Sequence, residues 1–137
     1  MTYSKVFPLN TFPAHKYVVT FARYQDKWLF SRHRSRTTWE TQGGHIEEGE
    51  TPLQAARREL YEESGATEFT ITPMFDYWAG DRTGSAVGVI FLAEITQLGD
   101  LPNSEMAEVR TFDALPDNLT YSEITPFLYE AITKGCP

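Results

Sequence analysis

The stretch GHIEEGETPLQAARRELYEESGA, Gly44 to Ala66, decides how the chain is read. Thr51 and Gln54 are spaced as a capping box, Pro52 takes the first helical position and Gly65 follows the last, so the spacing predicts a helix over 51–64. At about 100° per residue, Glu62 lies near -60° and Glu63 near +40° from Glu59, which puts three carboxylates on one arc. Leu53, Ala56 and Leu60 fall beside that arc, at roughly +60° to +120°, as the stripe expected to pack on a sheet. Like charges at these spacings cost a helix roughly 0.2–0.5 kcal/mol per pair. A hard divalent cation relieves the repulsion, and Mg²⁺ characteristically takes one or two carboxylates, several waters and the phosphate oxygens of a substrate. Glu50, at the end of the loop, is placed to join the set. Arg58 stands four residues before Glu62 and is suited to hold carboxylate rotamers with its planar fork. The competing reading of the same residues is a solvated acidic face with an ordinary ion pair.

Outward from this segment the chain reads as an α+β fold. Residues 18–24 and 27–33 are β-branched and aromatic with Gln25-Asp26 between them, the pattern of a hairpin. Strands are expected over 68–75, 86–95 and 108–112, separated by AGDRTG and QLGDLPNSE. A last helix is expected over 126–134, stopped by Gly135, with Phe127, Leu128, Ala131 and Ile132 as its apolar face. Hairpins with helices between and after them indicate α+β rather than a doubly wound parallel sheet.

Composition bounds the function. The 137 residues carry 12 basic and 19 acidic side chains, a net charge of -7, with 41% hydrophobic and 14% aromatic content, as expected for one folded domain over 1–137. The longest apolar run, 86–93, is strand-sized, and MTYSKVFPLN has no basic region leading into an apolar core, so neither a membrane span nor a secretion signal is expected. The lone Cys136 forms no internal disulfide, and the expected location is the cytoplasm. Net acidity argues against a nucleic-acid polymer as partner. Scattered His15, His33 and His45 make no zinc motif, Ser85 lacks the glycine two residues before it that a nucleophile elbow requires, and GxxxxGK[ST] is absent.

Gly44, Glu50, Arg58, Glu59, Leu60, Glu62, Glu63 and Gly65 together resemble the signature of the Nudix hydrolases: G, five residues, E, seven residues, R-E, an aliphatic, any residue, E-E, any residue, G, aliphatic. The departures are Ala66, where a larger aliphatic is usual, and Gln42, where most members have a proline before the glycine pair. The resemblance implies a mixed sheet sandwiched between helices. It also implies Mg²⁺- or Mn²⁺-dependent hydrolysis of a nucleoside diphosphate linked to another group. Carried over, Glu59, Glu62 and Glu63 resemble metal ligands and catalytic residues, Gly44 lends its carbonyl, and Arg58 orients the set. Glu50, Glu105 and Glu108 rank behind them as ligand or base, the last two because many members place a further carboxylate before the late strand. Many relatives form homodimers, so a second copy is the partner the resemblance admits.

For substrate contact, Arg32, Arg34 and Arg36 with His33 concentrate positive charge in an acidic chain, and Arg32 and Arg34 are expected to share a strand face. Trp39, Phe75, Tyr77 and Trp78 are candidates to stack on a base, their alternative being the core, and Arg82 is a weaker phosphate candidate. No proline lies between Pro73 and Pro102, where ADP-ribose-hydrolysing members carry one, and no tyrosine follows Tyr77 where dinucleoside polyphosphate hydrolases have theirs. By elimination, the resemblance points to a MutT-like nucleoside triphosphate pyrophosphohydrolase, including those that clear oxidised purine nucleotides. The alternatives are a hydrolase of ADP-ribose or another such diphosphate, and a module of the same fold that senses a nucleotide without turnover.

Overall fold

The computed structural model describes residues 2–102 and 105–135; Cys136 lies outside them. In chain order the elements are β1 (Tyr3–Pro8), β2 (Tyr17–Tyr24), β3 (Lys27–His33), β4 (Trp39–Glu40), β5 (Gln42–His45), α1 (Pro52–Ser64), β6 (Ala66–Asp81), β7 (Gly84–Leu98), β8 (Met106–Phe112) and α2 (Thr125–Lys134). The strands form one mixed sheet in the order β1-β6-β7-β2-β3-β4. Among the described strands only the β2–β7 pair is parallel, and β8 covers the outer edge of β3.

The sheet forks beside β2. Ala22, Arg23 and Tyr24 pair with β3 in the expected hairpin, whose turn holds Gln25 and Asp26 at φ 52° and 64°, the left-handed pair that follows the strand twist. Beyond Leu29, β3 leaves β2 and takes β4 instead, while β5 fills the vacated edge of β2 from Tyr17 to Thr20. This fork carries the glycine pair toward α1.

Alternation along the central strands separates two cores. Val18, Ala22, Leu29, Phe91 and Ala93 face α1, whose Ala55, Ala56 and Leu60 are fully buried. Phe21, Trp28, Phe30, Tyr77 and Ile90 face α2 and pack with Leu128, Ala131 and Ile132. Burial of each such large side chain stabilises the fold by about 1.5–3 kcal/mol.

The box helix starts and stops as its sequence dictates, with both capping-box bonds made and Gly65 at φ 80°. Other expectations are corrected. Leu53 is 43% exposed because it lies in the open first turn with Thr51 and Gln54, and Ala55 is buried in its stead. Phe127 is 44% exposed, since it points about 100° from Leu128 while Thr125, Ala131 and Ile132 keep within about 60°. AGDRTG is largely strand: β6 and β7 run on until Asp81 pairs with Gly84, leaving Arg82 and Thr83 as the tip. Pro73 is tolerated at a register shift, where a ladder donor is not needed. β1, β4 and β5 were not expected. No helix among the described residues is long and apolar enough to cross a membrane.

Candidate active site

The glycine pair brings β5 and α1 together by having no side chains. A Cβ on Gly43 would stand 2.2 Å from the Val18 carbonyl oxygen, and one on Gly44 would stand 2.9 Å from Cδ of Glu59. The Glu59 carboxyl therefore lies directly against the backbone of Gly44. Beside it, the Gly43 N–H donates to Glu63 Oε1 at 2.9 Å.

Arg58 binds the rest of the set. Its Nε and Nη2 donate to the two oxygens of Glu50 at 2.7 and 2.9 Å, its Nη1 donates to Glu59 and, at 3.1 Å, to Glu62, and Nη2 reaches the His45 carbonyl at 3.2 Å. Glu47 stands 3.4 Å from the same Nη2. The Arg58–Glu62 contact expected from the sequence is made, and the forked contact is with Glu50, which the loop returns to the helix. That fork, with the Glu47 N–H, holds the Glu50 carboxyl down at about 2. The carboxylates also hold the Arg58 guanidinium more firmly protonated than usual, Glu50 foremost.

Glu59 and Glu63 are both shifted the other way from Glu50. Burial pushes the Glu63 carboxyl up to about 9, helped by repulsion from Glu59 and Glu40 and only partly opposed by the Gly43 N–H. Burial also raises Glu59, against the pull of Arg58, and a hydrogen bond between the two carboxyls favours the proton on Glu63. One arginine thus serves four carboxylates and leaves the fifth without a cation. Among the described residues no three acidic or histidine side chains already converge as a metal cage. Yet hard oxygen donors held in surplus negative charge against a glycine backbone fit Mg²⁺ or Mn²⁺ and no soft metal.

A cavity of about 650 Å³ opens beside the glycine pair, lined among others by Lys16, Glu40, Gly44, His45, Tyr77 and Tyr121. Tyr77 is thus buried and on the cavity wall. Trp39 lies in the core, edge-on to Phe112 and under the Arg110 guanidinium, so it presents no free face for a base. The basic stretch is engaged. Arg32 donates to Glu108 and to the Arg36 carbonyl, Arg36 pairs with Glu40 at 2.9 Å, and His33 pairs with Glu105. Arg32 and Arg34 do not share a strand face, because the β3 register slips after Arg32 and the strand ends at His33. Arg34 donates its N–H to the Glu105 carbonyl. Arg82 sits at the β6–β7 tip and, unlike Asp81 and Thr83, does not line the cavity. Glu105 and Glu108 take their ionic partners from β3 and β8 rather than from the box helix.

Sequence reasoning missed Glu40, whose side chain is 10% exposed and whose charge acts on Glu63. It also missed Lys16 and Tyr121, which reach the cavity from distant segments that carry no motif of their own.

Comparison with known proteins identifies the fold and the family. A putative 8-oxo-dGTP diphosphatase of Bacillus subtilis is 29% identical over 124 residues, 88% of this chain and 75% of that protein. An RNA pyrophosphohydrolase of Francisella philomiragia is 51% identical over 41 residues, 30% of this chain, and the match spans about a quarter of that relative, 26% of its length. Among solved structures, a pyrophosphohydrolase of Bacillus subtilis shares the fold with a TM-score of 0.80 at 22% identity, covering 97% of this chain and 89% of that one. A UDP-X diphosphatase gives 0.70 at 21% identity, covering 93% and 67%. The family model described as NUDIX domain matches residues 13–128, a span that takes in the glycine pair, the capped helix and most of the cavity wall, and the chain belongs to the Nudix family.

Proposed function

We propose that the chain is a divalent-metal-dependent pyrophosphohydrolase that cleaves a nucleoside diphosphate linked to another group, most favourably a nucleoside triphosphate, giving the monophosphate and pyrophosphate. The observation that carries this reading is the surplus of box carboxylates held around one arginine and a glycine backbone at the edge of a nucleotide-sized cavity. The likeness over most of the chain to a putative 8-oxo-dGTP diphosphatase supports a nucleoside triphosphate, oxidised purines included.

Glu59, Glu62 and Glu63 with the Gly44 carbonyl would hold Mg²⁺ or Mn²⁺. Bound there, the cation supplies neutralisation of the polyphosphate and activation of water for attack on phosphorus. The protein's own groups do the remaining work. Arg58 fixes the rotamers of Glu50, Glu59 and Glu62. The Gly43 N–H orients Glu63, and a box carboxylate accepts the proton of the attacking water. The cavity receives the nucleoside, with Tyr77 and Tyr121 on its wall. The expected setting is the cytoplasm, with a free nucleotide as substrate.

The test is pyrophosphate and phosphate release with Mg²⁺, with Mn²⁺ and with chelator. The panel comprises canonical and oxidised nucleoside triphosphates, ADP-ribose, dinucleoside polyphosphates, nucleotide sugars and 5′-triphosphate RNA. Metal-dependent pyrophosphate release from one nucleoside triphosphate is expected. Preference for the RNA would replace the free nucleotide as substrate, and a nucleotide bound without turnover anywhere would favour a sensing module.

A further inference from the structure

We infer that Gln42 is a positioning residue for Glu63: its buried side-chain amide ties the fork in the sheet to the last turn of α1, and so fixes the Gly43 N–H against the Glu63 carboxyl. The inference deepens the proposed function and rests on it for the catalytic role of Glu63.

Gln42 is fully buried. Its Nε2 donates to the Leu29 carbonyl at 3.2 Å and to Ser31 Oγ at 2.9 Å. Leu29 is the last β3 residue paired with β2 on the near side of the fork, so the amide bridges β5 to β3 where the β2–β3 ladder ends. Ser31 Oγ passes the chain on, donating to the Glu63 carbonyl at 2.7 Å. Each group in Gln42–Ser31–Glu63 donates to the next, a polarity in which hydrogen bonds strengthen one another. The residue after Gln42 closes the loop, since the Gly43 N–H donates to the Glu63 carboxyl. Glu63 is therefore gripped at both its carbonyl and its carboxyl by consecutive residues of β5, one of them acting through Ser31.

The amide is not there for packing alone. Its Oε1 and the hydroxyl of Thr20, the residue opposite it on β2, are buried with no protein partner, a cost that an apolar residue would avoid. What an apolar residue could not provide is the pair of N–H donors.

Two variants test this, Gln42→Met, which keeps shape and removes the donors, and Ser31→Ala, which cuts the chain at its middle. With the substrate found above, each is expected to lower kcat, Gln42→Met by about tenfold, with KM within about twofold, and the double variant to lose less than the product of the two. In the metal-free protein without substrate, hydrogen exchange at the Gly43 amide is expected to quicken in both variants while that of Leu128 in α2 stays as in the parent. Unchanged kcat with unchanged Gly43 exchange would overturn the inference. So would an equal rise in exchange at Gly43 and Leu128, which marks a merely structural role. If Gln42→Met does not fold, Ser31→Ala carries the same two outcomes. If the parent hydrolyses nothing, the proposed function fails, and the exchange measurement alone decides whether Gln42 holds Glu63.

Discussion

Two clusters of arginine and glutamate stand on this protein, and their stoichiometries are opposite. In the box, Arg58 alone faces Glu47, Glu50, Glu59 and Glu62, with Glu63 beyond its reach. Across the sheet, Arg32 and Arg110 both close on Glu108, while Arg36 and His33 have Glu40 and Glu105. The second cluster neutralises itself and, apart from the buried Glu40, does so at the surface, where ion pairs add little. The first keeps surplus negative charge in a partly buried place, relieved in part by the proton that burial keeps on Glu63. The lesson is that the basic stretch SRHRSRTT, conspicuous in the sequence, is engaged in its own pairs, and the acidic helix carries the charge that no cation of the chain balances.

The comparison breaks first at the glutamates. Glu59→Gln or Glu63→Gln is expected to lower kcat by at least about 100-fold with the fold retained, whereas Glu108→Gln changes it by less than about twofold, as steady-state kinetics and circular dichroism would show. Comparable losses at Glu59 and Glu108 would erase the distinction between the clusters.

Why the box was legible and the cavity was not follows from the range of the forces. The α1 boundaries are set by Thr51, Pro52, Gln54 and Gly65, all within 15 residues, and the hairpin turn by two adjacent residues, so local chemistry suffices. β1 exists because β6, about 70 residues later, offers its edge, and QGGH is strand only because β2 has a vacant edge where β3 leaves it. Glu40 belongs to that same short region, and no local pattern marks it. Trp39 illustrates the converse: an aromatic beside the box suggests stacking, but pairing of β4 with β3 turns it into the core.

Next in size is Arg58→Ala. Removing one cation leaves four carboxylates to repel one another, and turnover is expected to fall by about tenfold with a loss of about 1–2 kcal/mol in stability at a site open to solvent screening. Arg32→Ala in the other cluster should leave turnover unchanged.

The pH dependence sharpens the contrast. Between the usual 4.5 of a glutamate and about 9, folded Glu63 binds a proton that the unfolded chain has lost. Its raised value therefore favours the metal-free fold at low pH, and the melting temperature should decline as pH rises from about 5 to 9. Glu50 works the other way, its stabilisation being present above about 4.5 and lost as pH falls toward 2. Thermal melts with Mg²⁺ should show a shallower decline at alkaline pH than melts in chelator; parallel curves would mean that no cation takes up the charge. The smallest effect is on stability at Arg32→Ala, expected within about 0.5 kcal/mol in denaturant titration.

The most direct measurement is pyrophosphate release by the parent protein and by Glu59→Gln, each with Mg²⁺ and with excess chelator. Release from the parent with metal alone, and from neither protein in chelator, is the predicted result. Release that survives chelation, or that proceeds at the parent rate in Glu59→Gln, would contradict the assignment of the box carboxylates as the site of metal-dependent hydrolysis.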